Sequence, residues 1–217
     1  MSTPVPVMDA ARKRNILIAM CTALMAVVAS VSGLNVAQQN LAVDLGASQG
    51  EILWIINSYT VALAALLLPI GAIGDRWGRK PVLLTGLVLF VFANVGAALA
   101  TSAALMIVAR VVAGLAAAMI MPVTLSVITS SFPEEERGQA IGIWAGVAGA
   151  GGLVGMFVSA FAVDALSWRW LYALPIVLVA IAFAVALRNV PNSSEDCEHP
   201  FDLLGSVLSA LAIGGLV

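Results

Sequence analysis

Charge is scarce in this sequence. Only 10% of its 217 residues are Asp, Glu, Lys or Arg, where an ordinary soluble domain carries about 25%. Ten cations and twelve anions cannot wet the surface of a globule this size, which excludes most soluble enzymes and disordered regulators. The formal net charge of −2 offers no basic field to a nucleic acid, and none is expected as a partner. Cysteine and histidine are nearly absent too. Cys21 lies in an apolar run and Cys197 in a polar stretch, so no disulfide is expected, and the lone His199 has no neighbour at metal-ligand spacing. No nucleophile–base pair, metal cluster or phosphate cradle is legible, so neither enzyme chemistry nor a cofactor is expected.

What the sequence does have is apolar length. Hydrophobic residues make up 61% of it, and the mean hydropathy is +1.04. A membrane-spanning helix needs about 20 predominantly apolar residues. Six segments meet this, near 15–38, 51–74, 81–101, 104–131, 138–163 and 168–188. Arg12, Lys13 and Arg14 ahead of the first run imitate a signal peptide, but the run is too long for one, and further spans follow. A seventh run begins at Phe201 and is still apolar at Val217. The organisation expected is an N-terminal tail over 1–14, a six-helix bundle over 15–188, a loop over 189–200 and the start of a truncated seventh helix over 201–217. The chain thus reads as a partial one.

Orientation follows from the basic residues, which gather on the cytoplasmic side of membrane proteins. With the N-terminus inside, eight of the ten basic residues fall in cytoplasmic segments; Arg169 falls outside and Arg110 within a span. The expectation is a multi-pass protein of the cell membrane with a cytoplasmic N-terminus. Short breaks make consecutive helices antiparallel neighbours. Six spans divide into three plus three, a division that inverted-repeat transporters use, although the two halves share no clear sequence identity.

Three motifs carry chemistry. The first is Gly71-Ala-Ile-Gly74-Asp75-Arg76-Trp77-Gly78-Arg79-Lys80. A tight turn between helices calls for glycine, and Asp75 among three cations can lock helix ends together. The second is Arg110-Val-Val-Ala113-Gly114-Leu-Ala-Ala117-Ala118. An arginine inside hydrocarbon costs about 2.5–3.5 kcal/mol on insertion scales, so it must face protein or water. Gly114, Ala117, Ala118 and Met121 beside it present small residues for close packing. The third is the glycine series Gly142, Gly146, Gly149, Gly151, Gly152 and Gly155, whose spacing lets helix backbones touch.

The first motif resembles the loop signature of the major facilitator superfamily, in which glycine, a small residue and aspartate precede Arg-x-Gly-Arg-Lys. The second resembles that superfamily's fourth-helix motif, whose arginine is implicated in proton transfer; the polar residue usual before Gly114 is here Ala113. Gly142, Gly151 and Gly155 match the fifth-helix antiporter motif of drug exporters, without its later proline. Trp54-Ile-Ile-Asn57-Ser58-Tyr59-Thr60 and Phe201-Asp202-Leu-Leu-Gly205 are similar to the second and seventh helices of the fourteen-span drug:proton antiporter branch. Members carry an aspartate and a proline in the first span, where Ser30 and Gln39 stand here, and no Asp or Glu lies deep in any of the six spans.

The resemblance implies the N-terminal six-helix half of the facilitator fold plus the start of helix seven, an all-α membrane bundle of inverted repeats whose C-terminal half is missing. It implies a secondary transporter that exports lipophilic or cationic drug-like molecules by alternating access, with the proton as coupling ion. On that basis Gly71, Gly74, Asp75, Arg76, Gly78, Arg79 and Lys80 form a cytoplasmic gating loop. Arg110, Asn57, Tyr59 and Ser30 lie on the proton or substrate pathway. Two other readings stay open: a metabolite exporter of the same fold, and a truncated membrane fragment that transports nothing.

Overall fold

A computed structural model describes residues 9–192. The described residues form helices and no strand: α1 (Ala10–Val36), α2 (Gln38–Leu45), α3 (Gln49–Trp77), α4 (Arg79–Ala98), α5 (Ala103–Ser131), α6 (Glu134–Ala165), a short 3-10 turn (Trp168–Tyr172) and α7 (Ala173–Asn189). Six of these units, counting the 3-10 turn with α7, are long and apolar enough to cross a membrane. The expected seventh helix, at 201–217, lies outside the described residues, as do Cys197 and His199.

Five of the six spans begin before the apolar stretches that announced them, whereas α1 and α4 end two and three residues early. Hydropathy marks the part of a helix that sits in hydrocarbon, whereas capping decides where the helix ends. Ser48 starts α3 two residues before its first expected position: its Oγ accepts from the Glu51 amide while its own amide donates to Glu51 Oε2 at 2.8 Å. Pro133 precedes α6, whose first turn holds Glu134, Glu135 and Glu136 against the helix dipole. The basic triplet expected in a tail lies inside α1. The expected cytoplasmic loop at 75–80 shrinks to one non-helical residue, Gly78, at φ 110° and ψ 132°, a conformation reserved for glycine.

Packing reveals the internal repeat that sequence identity does not. The helix α3 packs on α5 just as α6 packs on α1; α4 packs on α5 as α7 packs on α1. The remaining interior pairs, α1 with α5 and α4 with α7, map onto themselves when the first three spans are exchanged for the last three. This is a three-plus-three arrangement, and it leaves α3 and α6 at the periphery, each covered along one face. The α1–α6 seam is set in register by residues four apart, all but one of them small. Met25, Ala29 and Gly33 on α1 meet Gly151, Gly155 and Ser159 on α6, and a Cβ built on Gly155 would fall 2.7 Å from Ala29 Cα. Backbones this close are the source of contact energy in lipid, where apolar side chains gain nothing by leaving their surroundings.

Candidate functional site

Two polar centres stand out, one inside the bundle and one at its basic end. The inner centre is built on Arg110, seven residues into α5 and 1% exposed. Its Nη1 donates to Ser30 Oγ on α1 at 3.2 Å and its Nε to the Ile55 carbonyl on α3 at 3.4 Å. The guanidinium lies 4.4 Å from the centre of the Tyr59 ring, also on α3. Ser30 passes the chain on, donating to Asn94 Oδ1 on α4 at 3.3 Å, and the Asn94 amide is oriented by donation to the Phe90 carbonyl at 2.7 Å. Tyr59 in turn donates to the Val27 carbonyl of α1 at 3.2 Å. Four helices therefore meet at one charge. Gly114, one turn along α5 from Arg110, makes this possible: a Cβ there would collide with the Tyr59 carbonyl and stand 2.8 Å from Ala62 Cβ.

The sequence named three of these residues and missed the fourth. Arg110, Ser30 and Tyr59 come together as a unit. Asn94 was overlooked, although an amide in the middle of an apolar span is itself a pointer to a polar site. Asn57 does not join them; it stays exposed on another face of α3, beside Gly50, Leu53 and Trp54 in an open cleft of about 240 Å³. The Asn57–Thr60 stretch is thus split, with Ser58 and Tyr59 facing inward and Asn57 and Thr60 outward.

At the basic end, Asp75 Oδ1 accepts from both Nε and Nη2 of Arg79, each at 3.0 Å, across the Gly78 turn. The three cations expected around Asp75 diverge. Arg76 is exposed, Arg79 is buried, and Lys80 donates to the Leu187 carbonyl at the end of α7 at 2.9 Å. Arg12 donates to the Asn189 carbonyl at 3.0 Å, so cations from α1 and α4 both cap the negative end of the α7 dipole. Gly74 is buried with Val123 Cγ2 3.0 Å from where its Cβ would be, and Gly71 faces Pro122.

The antiporter-like glycines also divide. Gly151 and Gly155 are pressed against α1, whereas Gly142, with Gly146 and Gly149, faces open space. Close helix packing accounts for the first two and for none of the other three. A further tie, unread in the sequence, closes the opposite end: Asp44 on α2 accepts from Trp168 Nε1 at 2.8 Å and Arg169 Nη1 at 3.3 Å, with Arg169 stacked on the Trp168 ring. No group of three or more potential metal ligands occurs among the described residues.

Comparison with known proteins places these features. A family profile described as Major Facilitator Superfamily matches residues 18–214. The chain is 35% identical over 181 residues to the methyl viologen resistance protein SmvA of Salmonella typhimurium, covering 83% of this chain and 37% of that protein. It is 36% identical over 170 residues to the multidrug efflux pump LfrA of Mycolicibacterium smegmatis, covering 78% and 34% respectively. Among solved structures, the proton:xylose symporter XylE superposes with a TM-score of 0.70 at 16% identity, over 95% of this chain and 50% of that one. The chain spans little more than a third of the length of these two curated relatives.

Proposed function

Since this chain belongs to the Major Facilitator Superfamily, we propose that it builds the N-terminal half of a secondary transporter that exports drugs or other small lipophilic molecules by alternating access. The single observation that carries this reading is Arg110. A charge enclosed in an apolar bundle costs several kcal/mol after relaxation, and a well-packed apolar side chain would stabilise the fold at least as well. Residues of this kind inside membranes are kept for moving solutes or ions. The resistance and efflux names of the relatives support the drug:proton antiporter branch and drugs as the cargo.

In this reading the outward faces of α3 and α6, which bear Asn57, Thr60, Gly142, Gly146 and Gly149, turn toward a second six-helix half and the cavity between the halves. The Asp75–Arg79 pair at the Gly78 turn belongs to the cytoplasmic gate, with the N-terminus on the same side. The coupling ion is a proton. Because no carboxylate lies deep in the described spans, the acid that carries it belongs to the remainder of the protein.

The test is uptake into everted membrane vesicles by the protein expressed from its natural gene. Lipophilic probes that are cationic, neutral and anionic are offered with and without a proton gradient. Gradient-dependent accumulation that a protonophore abolishes is the expected result. Transport of polar metabolites alone would replace drug export by metabolite export, and no transport of any kind would overturn the reading.

A further inference from the structure

The two peripheral helices are each held in two ways. Along their lengths α3 rides on α5 and α6 rides on α1, whereas α3 barely touches α1 and α6 barely touches α5. Each of these thin contacts is bridged by a single side-chain hydrogen bond among the described residues. Tyr59 Oη of α3 donates to the Val27 carbonyl of α1 at 3.2 Å, and Trp144 Nε1 of α6 donates to Thr124 Oγ1 of α5 at 3.2 Å. The direction of the second bond is fixed. Thr124 is fully buried, and its one proton goes to the Met121 carbonyl at 2.7 Å. Only a lone pair is left for Trp144, whose indole can only donate. Pro122, two residues before Thr124, leaves α5 one ladder bond short at that level, so the helix can bend where the tie attaches.

The internal repeat relates the two ties. Exchanging the first three spans for the last three carries α3 onto α6 and α1 onto α5, and so carries the helices of one bond onto those of the other. Tyr59 and Trp144 are each the eleventh residue of their helices. The helix α3 starts at the end of the bundle that holds Asp44, and α6 starts at the basic end, so the bonds sit in opposite halves of the bundle. We infer that they are paired latches. Trp144–Thr124 holds the basic-end mouth of this half, Tyr59–Val27 holds the opposite mouth, and each breaks only when its own side opens. The inference rests on the alternating-access reading and names residues that alternate.

Both bonds are formed in this structure, the arrangement of a half with both mouths shut. A seam closed along its length by glycine packing resists parting everywhere, as α1 and α6 do at Gly151 and Gly155. A contact closed at one point parts when that point fails, which makes the cross-ties the places where a peripheral helix can swing. Hydrogen bonds between membrane helices average about 0.6 kcal/mol, which is equivalent to about a threefold change in a population ratio. A latch of that strength biases a near-balanced equilibrium without freezing it.

The test places reporter cysteines at Gly142, on the open face of α6, and at Asn57, on the open face of α3. The protein is expressed from its natural gene with its own cysteines replaced. Labelling by an impermeant maleimide is timed in vesicles of known orientation, each reporter from its own side. Thr124→Val, which removes the acceptor, should speed labelling at position 142 about threefold and slow it at position 57. Trp144→Phe should match it, and Thr124→Ser, which keeps the hydroxyl, should restore the unmutated rates. Tyr59→Phe, which keeps the ring beside Arg110, should do the reverse of Thr124→Val. Opposite shifts of this kind cannot come from general damage to the fold. Faster labelling at 142 with no fall at 57 marks local loosening and overturns the inference, as do shifts of one sign in both variants or no shift in either. Opposite shifts in a protein that transports none of the lipophilic probes uphold the latches and count against the transporter reading.

Discussion

At the scale of single residues, Arg110 and Asp75 are both charged but differ in what their loss should do. Arg110 is enclosed by four helices and holds Ser30, Ile55 and Tyr59 at once. Replacing it by Ala removes an expensive buried charge, so folding and insertion should survive. Gradient-driven transport, normalised to the amount of protein in the membrane, should fall by more than tenfold. Lysine should not restore it, because an ammonium, although it has three donors, lacks the planar face and fixed fork with which the guanidinium lies over the Tyr59 ring while donating to Ser30 and Ile55. Asp75 lies at a partly exposed end, where an ion pair contributes only about 0–1 kcal/mol to stability. Its substitution by Asn should therefore leave expression nearly normal. If the pair biases an inward–outward equilibrium, however, a shift of about 1.4 kcal/mol alters the population ratio tenfold, and transport should drop severely. Rates within twofold of the unmutated protein would mean that Asp75 serves only the turn.

At the scale of elements, the seams between helices make sharper predictions than the helices themselves. A Cβ on Gly155 would run into the α1 backbone at Ala29, whereas one on Gly142 would meet no neighbouring helix within 4 Å among the described residues. Gly155→Val should force α1 from α6, costing about 1–3 kcal/mol or more through overpacking, visible as a lower melting temperature in detergent. Gly142→Ala meets no neighbour among the described residues and should be neutral or stabilising by up to about 1 kcal/mol, because alanine favours a helix interior over glycine. The α2 tie supplies a second pair. Trp168 is buried and its N–H needs an acceptor. Asp44→Asn keeps one and loses only an exposed ion pair with Arg169, for about 0–1 kcal/mol. Asp44→Leu strands the buried N–H at a further cost of about 1–3 kcal/mol. Thermal melts of the two variants side by side should show this order, and equal melts would mean that water takes over the bond.

At the scale of the whole molecule, the basic residues of alternate helix ends gather on one side of the bundle. The α1 start, the α3–α4 turn, the α5–α6 turn and the end of α7 all lie there, tied by Lys13 to Glu136 at 3.0 Å and by Arg12 and Lys80 to the α7 terminus. By the positive-inside rule this side should be cytoplasmic. In a variant lacking Cys21 and Cys197, a cysteine at the exposed Trp77 should resist impermeant reagents in intact cells and react once the membrane is opened. Position 79 is unsuitable for this probe because Arg79 is buried. Rapid labelling of Trp77→Cys from outside would reverse the orientation.

Composition by itself determined that this is a helical membrane protein, and apolar length determined its six described spans, because burial in hydrocarbon depends on little except hydropathy and reach. Local chemistry also made Gly78, Arg110 and the Gly151–Gly155 pair legible, since a turn, a buried charge and a close approach each demand particular residue types. Only the tertiary structure decided which helices touch. It set Met25, Ala29 and Gly33 against Gly151, Gly155 and Ser159, brought Asn94 to Ser30, and put Asn57 on a different face from Tyr59 and Gly142 on a different face from Gly151. It also revealed the twofold repeat of three helices that residue identity conceals. A helix presents all its faces equally in sequence, and the choice among them depends on small differences in backbone approach between segments far apart in the chain.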